Sequence, residues 1–466
     1  MTPFTVSFQK MGIGEPFTLI AGQHFRFDIE EFERFFQAPI AARVVDLLRI
    51  ASSIYVVDRL VRRRQKDQHK HWSRSLHATI GVIEPDLWSS DEVRETLTDT
   101  VEFLSDDTWD FKFVHDDKRV KKEVQRPLFP VPTDARVALY SGGLDSAAGL
   151  GNRIMQDPSR HVLPVTVWHQ PIQRKIVATQ FKLFQQHGDI RITPLLVKSA
   201  MKWSPEMKAR FRDEPTQRSR AFLFLAAGAV AAAMVGGIAV ELYESGVGAI
   251  NLPLMSGMVG SRTTRSTHPA FLRRMSELIR LVVERPIAFE LPFFHQTKGQ
   301  VVRSAKDSGL HDLAESTVSC VHYPLRESGH KQCGFCPACI FRRQSLAIAG
   351  ITEPKGTYKF DLFDDVHAAN RIPKRHMKYL KTFLDQVVQL DEVKLNQPLP
   401  LKIRRHLFGT GVLTHGESTK PIERLLGEYR DEWKGIITQA RDRKFSWTKL
   451  VGCPTPRMEG ATHALA

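Results

Sequence analysis

Hydrophobic and polar residues follow two rhythms along this chain, and the change between them predicts its organisation. The first part mixes the two: alternation typical of strands occurs at residues 4–8, 72–82 and 106–113, and helical spacing occurs at residues 41–64 and 90–104. This mixture predicts a separate N-terminal α+β domain over residues 1–128. Prolines at positions 127, 130 and 132 then indicate a linker.

From about residue 133, strands and helices alternate, which is typical of a parallel sheet covered by helices. Strands are predicted at residues 135–139, 162–168, 190–197 and 248–254. Helices are predicted after the turn at residues 141–146, in the residues up to Lys182, and over Ala221–Val240. We therefore expect a doubly wound α/β domain over residues 133–356. Ligands of such sheets bind at the carboxyl ends of the strands, so residues 141–146, 168–170 and 255–265 are expected to surround one crevice.

The segment Ala221–Val240 has twenty residues without a charge, which is long enough for a membrane span. Eight of these residues are alanine and three are glycine, so the segment is only modestly hydrophobic. Small residues favour a helix packed tightly against a sheet. We therefore expect a buried helix, no membrane association and a cytoplasmic protein.

The last part of the chain predicts mainly helices. Apolar residues recur at helical spacing in residues 377–390, 401–408 and 422–433. A helical C-terminal extension over residues 361–466 is expected, and the pattern does not indicate its role.

Charge changes this picture by suggesting partners. The 466 residues carry a formal net charge of +15, which favours polyanions such as nucleotides, nucleic acids or an acidic protein. Basic residues cluster at positions 59–70 and 118–122. Each cluster is equally consistent with a solvated helix face, so both interpretations stay open.

The run Ser141-Gly142-Gly143-Leu144-Asp145-Ser146 lies between a predicted strand and a predicted helix. Adjacent glycines allow a tight turn, and the N–H groups at the start of a helix attract an anion. The run lacks the lysine of the loop that serves γ-phosphate transfer. It resembles the PP-loop of ATP pyrophosphatases, which holds the β,γ-pyrophosphate of ATP while a substrate oxygen attacks the α-phosphate.

Four of the five cysteines, Cys320, Cys333, Cys336 and Cys339, fall within twenty residues. This spacing supplies the four thiolates of a structural zinc site, and an iron–sulfur cluster is the alternative. The remaining cysteine, Cys453, is interpreted as a lone thiol. Five cysteines in a chain of this length do not form a disulfide framework.

A PP-loop followed by four cysteines resembles the 7-cyano-7-deazaguanine synthase (QueC) family over residues 133–356. Further stretches extend the resemblance: 169–174 at a strand end, Pro215–Ser219 before the apolar helix, Leu291–Phe294 as a strand, Thr297-Lys298 before a helix, and Thr317–Cys320 at the first zinc ligand. Members of this family activate a deazapurine carboxylate with ATP, form an amide with ammonia and dehydrate the amide to a nitrile.

The resemblance implies roles for individual residues. Ser141, Gly142, Gly143, Leu144, Asp145 and Ser146 would bind the pyrophosphate of ATP, with Asp145 contacting Mg²⁺. Arg218 and Lys298 would neutralise phosphate or carboxylate charge and act with Asp145 in catalysis. The four cysteines would bind Zn²⁺.

Departures from the family suggest a different acceptor. The chain extends well beyond the matching core on both sides, and residues 255–269 lack the family's substrate stretch. Long chains of this kind are similar to the QueC-like component of bacterial anti-phage systems of the Qat and CBASS type. The resemblance then implies an ATP-dependent C–N ligase that modifies a protein or nucleic acid, with other defence proteins as partners.

Three alternative functions stay open: an ordinary nitrile synthase of queuosine precursor synthesis, a tRNA-modifying enzyme and a nucleotide-bound scaffold. The nucleotide product, AMP or ADP, also stays open, and so does the oligomeric state, for which a homodimer is one possibility.

Overall fold

A six-stranded sheet lies at the centre of the protein and positions the candidate site. The computed structural model describes residues 4–10, 13–63, 73–116, 132–187, 190–216, 218–251, 265–310, 312–325, 329–393 and 397–451. The strands are β1 Thr5–Lys10, β2 Ile13–Ile20, β3 Phe25–Phe27, β4 Ser75–Val82, β5 Thr108–His115, β6 Arg136–Leu139, β7 Val162–Trp168, β8 Leu195–Met201, β9 Ala239–Glu241 and β10 Ala288–Glu290.

Helices form most of the remaining described chain. They are α1 Glu30–Phe36, α2 Ala42–Leu60, α3 Pro85–Ser89, α4 Asp91–Ser105, α5 Leu144–Gln156, α6 Pro171–Gln185, α7 Pro205–Arg210, α8 Arg220–Met234, α9 Gly246–Ile250, α10 Pro269–Val283, α11 Lys298–Asp307, α12 Leu313–Ser316, α13 Pro337–Ala349, α14 Ala368–Arg371, α15 Lys374–Leu390, α16 Leu401–Gly409, α17 Lys420–Asp442 and a 3-10 helix, Ser446–Leu450.

Five strands of the large sheet are parallel, in the order β10-β9-β6-β7-β8, and β3 adds an antiparallel edge. Neighbouring residues on β6 face opposite cores: Val137 packs in the core that contains α8, and Ala138 in the core that contains α5 and α6. The mixed α/β fold with a parallel sheet is thus confirmed. Because β6 lies between β7 and β9, chain connections diverge on its two sides, and a crevice opens at the carboxyl ends of β6 and β9.

The N-terminal segment is joined to this sheet through more than one element. Its own sheet has the order β2-β1-β4-β5, while β3 pairs with β8 of the large sheet. Leu47 of α2, Val165 of β7 and Leu223 of α8 belong to one hydrophobic core. The domain limits 1–128, 133–356 and 361–466 stay predictions.

The prediction of a buried helix after residue 220 is confirmed by α8, whose alanines pack against the sheet. Among the described residues, no helix combines the length and apolar character that a membrane crossing needs. The predicted C-terminal helices are confirmed as α15, α16 and α17, and their core includes Leu384, Trp433 and Trp447.

Two strand predictions, 248–254 and Leu291–Phe294, were wrong, and the strand predicted at 190–197 begins later than expected. Residues 246–250 form helix α9, residues 252–254 lie outside the described chain, and the strand of this region is β9, at the end of the predicted helix Ala221–Val240. Helix α8 ends before Gly236, whose φ of +73° suits glycine. Leu291–Phe294 is a turn that follows β10, closed by the Phe294 N–H donating to the Leu291 carbonyl. Strand β8 begins only after Pro194, which has no N–H for a ladder.

Candidate functional site

The loop from Ser141 to Ser146 connects β6 to α5 at the crevice. Gly142 has a φ of +79°, and Gly143 caps the helix, so the turn uses the conformational freedom that only glycine provides. Ser141 Oγ and Ser146 Oγ lie 3.0 Å apart, and Ser146 Oγ also donates to the Gly143 carbonyl over 3.1 Å. Leu144 is buried beneath the turn. The loop thus presents hydroxyl groups and a helix N-terminus to the crevice.

Asp145, in the first turn of α5, pairs with a buried lysine. Lys298 Nζ donates to Asp145 Oδ2 over 2.8 Å, and only 5% of the lysine side chain is exposed. Lys298 opens α11, where Thr297 and Gln300 form a capping box that fixes the start of the helix. A positive charge is therefore held next to the Ser141–Ser146 loop.

Glu244 follows β9 and adds a second carboxyl group to this side of the crevice. Desolvation, followed by the negative charge of Asp145, raises the pKa of Glu244 to about 8, although Lys298 acts in the opposite direction. A perturbed carboxyl group in a cleft is a common feature of functional sites.

Arg218 lies on the opposite side of the crevice, just before α8. Its side chain is 1% exposed, and its Nη1 donates to Asp106 Oδ2 over 2.7 Å. Burial lowers the pKa of Arg218 to about 10, although Asp106 acts to raise it. The cation therefore depends on a carboxylate that comes from the N-terminal segment.

These groups surround one cavity of about 420 Å³. Its lining includes Ser141, Asp145, Ser146, Thr216, Arg218, Arg220, Phe224, Tyr243, Glu244, Thr267 and Val318. His169 also lines it and is placed between the rings of Tyr55 and Phe224, at centroid distances of 5.4 and 6.0 Å. Burial lowers the pKa of His169 to about 4, so the imidazole is neutral at pH 7. The site thus combines two cationic groups, Arg218 in the cavity lining and Lys298 bound to Asp145, with the aromatic side chains of His169, Phe224 and Tyr243.

The four predicted metal ligands converge. The sulfurs of Cys320, Cys333, Cys336 and Cys339 all lie within 4.8 Å of one another, and all four residues are buried. Three backbone N–H groups point at sulfurs over 3.3–3.4 Å: Cys333 to Cys320, Cys336 to Cys333 and Cys339 to Cys336. Tetrahedral zinc with Zn–S bonds of about 2.3 Å places its sulfurs about 3.8 Å apart, close to the 3.9 Å between Cys333 and Cys339. The donor set therefore suits a zinc ion, with no ligand position left open.

The cysteine cluster is connected to the Ser141–Ser146 loop. The segment Thr317–Cys320 ends at the first cysteine of the cluster and passes next to the Ser141–Ser146 loop. In this segment, the Val318 N–H donates to the Gly142 carbonyl over 3.3 Å. Gln180 Nε2 donates to the carbonyls of both Gly142 and Ser316, each over 3.1 Å. The segment that carries the cysteines therefore also fixes the back of the loop.

The structure brings most of the predicted site residues together. Ser141, Asp145, Ser146 and Arg218 line the cavity, and Lys298 reaches it through Asp145. Of the predicted loop 255–265, only Arg265 lies within the described chain, and its Nη1 donates to Asp106 Oδ1 over 2.8 Å. Sequence reasoning missed Glu244 and Asp106. Glu244 follows a strand of only three residues, which shows no readable alternation. Asp106 was assigned to the predicted strand 106–113, whereas the structure places it at the C-terminal end of α4.

Comparison with known proteins finds similarity to one family. Residues 265–350, which contain Lys298 and the four cysteines, match the family described as Queuosine biosynthesis protein QueC. Over 229 residues, 48% of this chain, the sequence is 25% identical to the 7-cyano-7-deazaguanine synthase of Marinobacter nauticus, and the alignment covers 96% of that protein. This part of the chain is QueC-like.

Two further relatives match more closely over a shorter stretch. The 7-cyano-7-deazaguanine synthases of Acinetobacter baylyi and Anaeromyxobacter sp. are 31% and 34% identical over 91 residues. These alignments cover 18% of this chain, and 38% and 36% of the respective relatives. Over that closer match the chain thus spans little more than a third of each relative. Over the longer alignment of 229 residues, the identity falls to 25%.

Proposed function

We propose that this chain is an ATP-dependent enzyme that adenylates a carboxylate and then forms a C–N bond. The observation that carries the proposal is that Ser141, Asp145, Ser146 and Arg218 line one cavity beside the carboxyl end of β6, with Lys298 bound to Asp145. The substrate class follows the QueC-like relatives, which are named 7-cyano-7-deazaguanine synthases, so a 7-deazaguanine carboxylate is the first substrate to test.

In the proposed reaction, the hydroxyl groups and the N-terminus of α5 hold the β,γ-pyrophosphate of ATP. A carboxylate oxygen of the substrate forms a bond to the α-phosphorus, and the bond from that phosphorus to the bridging oxygen breaks, releasing pyrophosphate. An amine then attacks the acyl carbon, AMP leaves, and the amine loses a proton. Arg218 and Lys298 stabilise the negative charge that develops on phosphate and acyl oxygens.

Two metal ions belong to the proposal. Asp145 offers a carboxylate of the kind that binds Mg²⁺, which accompanies ATP in such sites. Zinc on the four cysteines is proposed to be structural, because thiolates fill all four positions and leave none for a substrate.

The amine acceptor distinguishes this chain from an ordinary nitrile synthase. A net charge of +15 and long segments outside the QueC-like part support a macromolecular acceptor, either a protein or a nucleic acid, over free ammonia. The proposal includes a role in anti-phage defence, in which other proteins of the defence system supply or use the modified acceptor.

The test is incubation of the purified chain with ATP, Mg²⁺ and 7-carboxy-7-deazaguanine, with and without ammonium, and quantification of AMP, pyrophosphate and nitrile. Formation of AMP and pyrophosphate without a free nitrile supports the proposed ligase. Release of the nitrile in the presence of ammonium supports the biosynthetic alternative. ATP binding without AMP formation from any carboxylate would show a nucleotide-bound scaffold and contradict the proposal.

A further inference from the structure

The cavity wall that carries Arg218 is held by the N-terminal segment. We define the Arg218 loop as residues 211–216, 218 and 219, between α7 and α8. It supplies Thr216 and Arg218 to the cavity lining. This loop lies at the N-terminus of α8, so its position determines where the guanidinium group enters the site.

A direct partner of Arg218, Asp106, lies at the C-terminal end of α4. Asp106 caps the end of α4 in the left-handed region, with a φ of +56°, and its N–H donates to the Glu102 carbonyl. In this position one carboxylate oxygen accepts from Arg218 over 2.7 Å and the other from Arg265 over 2.8 Å. A left-handed residue other than glycine is sparsely populated and persists where its surroundings over-determine it.

The end of α2 binds the same loop at several points. Asp58 Oδ2 accepts from both the N–H and the Oγ of Ser219, over 3.0 and 2.8 Å. The Arg59 carbonyl accepts from the Glu214 N–H over 2.8 Å, and Glu214 in turn accepts from the Arg63 N–H over 2.7 Å. Arg63 Nη1 also donates to Thr216 Oγ1 over 2.9 Å. The loop is therefore anchored along most of its described length.

These anchors form a buried network of opposite charges. Side chains of Asp58 and Asp107 are fully buried, and Arg63 and Arg74 are at most 5% exposed. Arg74 bridges the two carboxylates, and Arg63 contacts both as well. Burying such a network has a high desolvation cost, so its net contribution to the free energy of unfolding is small. Because each buried charge needs its partner, the network favours a single arrangement of the side chains. Its value is therefore greatest where a precise position matters.

We propose that Asp106 and Asp58 of the N-terminal segment are positioning residues that hold the Arg218 loop so that the guanidinium group of Arg218 faces the reacting phosphate or acyl group. The inference rests on the proposed function for its catalytic consequence, and on the geometry alone for its structural one. The N-terminal segment thus completes the active site of the QueC-like part.

The first test is Asp106→Asn, because asparagine tolerates the left-handed conformation and removes only the charge. Without the carboxylate, the guanidinium group loses the ion pair that orients it towards Asp106, and a displacement of about 1 Å can reduce turnover by about 100-fold. We expect kcat/KM for AMP formation to fall by about 10–100-fold. The matched control is Asp99→Asn on the same helix, which removes an exposed pair with Arg274 outside the cavity, and this variant should retain wild-type kinetics.

A double-mutant cycle with Arg218→Lys distinguishes positioning from a general structural role. Lysine keeps the charge but loses the planar fork that Asp106 orients. If Asp106 acts through Arg218, adding Asp106→Asn to Arg218→Lys lowers kcat/KM by no more than about threefold. Independent, multiplicative losses in the double variant would overturn the proposal.

Hydrogen exchange of the Arg218 loop separates this inference from the proposed function. Amides of the loop should exchange at least about tenfold faster in Asp106→Asn than in Asp99→Asn, with or without turnover. If the wild-type chain forms no AMP but the loop loosens, the proposed function fails and the positioning role stands. If the wild-type chain is active and neither kcat/KM nor loop exchange changes in Asp106→Asn, the positioning role fails.

Discussion

The two walls of the cavity are braced by different chemistry. The Ser141–Ser146 wall is backed by the segment that carries four cysteines within twenty residues, through contacts such as Val318 to Gly142. The Arg218 wall is backed by carboxylates and guanidinium groups from elements more than 100 residues away, such as Asp106 and Asp58. The first brace depends on soft metal ligands, and the second depends on buried charge.

This difference predicts which perturbation should displace each wall of the cavity. A zinc–thiolate brace is lost by chelation or by loss of one sulfur, because ion binding and local folding are linked. A buried ionic brace is lost when one partner is neutralised, because the remaining charge stays buried without compensation. The walls should therefore respond to separate perturbations, and the following predictions test that separation in order of expected size.

Replacing Cys336 and Cys339 by serine should abolish metal binding, with a loss of about 10–16 kcal/mol of apparent binding free energy. Elemental analysis should find about one zinc per chain in the wild type and none in the double variant. Hydrogen exchange should accelerate around Gly142 but not in the Arg218 loop. Cys453→Ser is the matched control and should keep the metal, and an unchanged zinc content in the double variant contradicts the site.

Replacing Asp58 by asparagine should break the second brace at a cost of about 3–5 kcal/mol in the free energy of unfolding at pH 7. Burial opposes ionisation of Asp58, but Arg74 and Arg63 outweigh it and lower its pKa. Its contribution is thus present above the unfolded pKa, near 4, and is lost as pH falls through the lower folded pKa.

Urea unfolding of the Asp58→Asn variant and the wild type at several pH values tests this. The difference between the two chains should narrow only below about pH 4. Asp213→Asn is the control, because Asp213 pairs with Arg59 on the surface, and it should cost no more than about 1 kcal/mol. Equal costs for the two substitutions contradict the buried brace.

Replacing Asp145 by asparagine should lower the rate of AMP formation by about 100–1,000-fold, because the first wall loses the carboxylate that is proposed to bind the Mg²⁺ accompanying ATP. Lys298 also loses its buried partner, so a thermal melt must show that the variant is folded at the assay temperature. Asp157→Asn, at the opposite end of α5, should be as active as the wild type. A rate unchanged in Asp145→Asn contradicts the site assignment.

Replacing Glu244 by glutamine should change the pH dependence of stability by about 1 kcal/mol or more. With a folded pKa of about 8 against about 4.3 when unfolded, the native state holds an extra proton between these values. Wild-type stability should therefore fall as pH rises from 5 to 9, and this fall should shrink in Glu244→Gln. Thermal melts between pH 5 and 9 measure this fall in stability. Glu206→Gln, on the surface of α7, is the control. If the stability of Glu244→Gln changes with pH in parallel with that of the wild type, the raised pKa is contradicted.

Predictability from sequence differs between the two walls for a physical reason. The loop at Ser141 and the cysteines at 320–339 are each short runs, so the spacing along the chain reports the geometry directly. Asp106 and Arg218 are 112 residues apart, and no spacing rule links them. Strand β9, with three residues at the end of an alanine-rich stretch, has too few positions for alternation to reveal it. Local motifs were therefore predicted, and the long-range brace was not.

Oxygen-isotope transfer tests carboxylate adenylation most directly. The wild-type chain is incubated with ATP, Mg²⁺, ammonium as the amine and 7-carboxy-7-deazaguanine labelled with ¹⁸O in the carboxylate, and the AMP is analysed by mass spectrometry. Attack of a carboxylate oxygen on the α-phosphorus, followed by acyl transfer to an amine, predicts AMP that carries one ¹⁸O atom. Unlabelled AMP, or ADP as the nucleotide product, would contradict adenylation at this cavity.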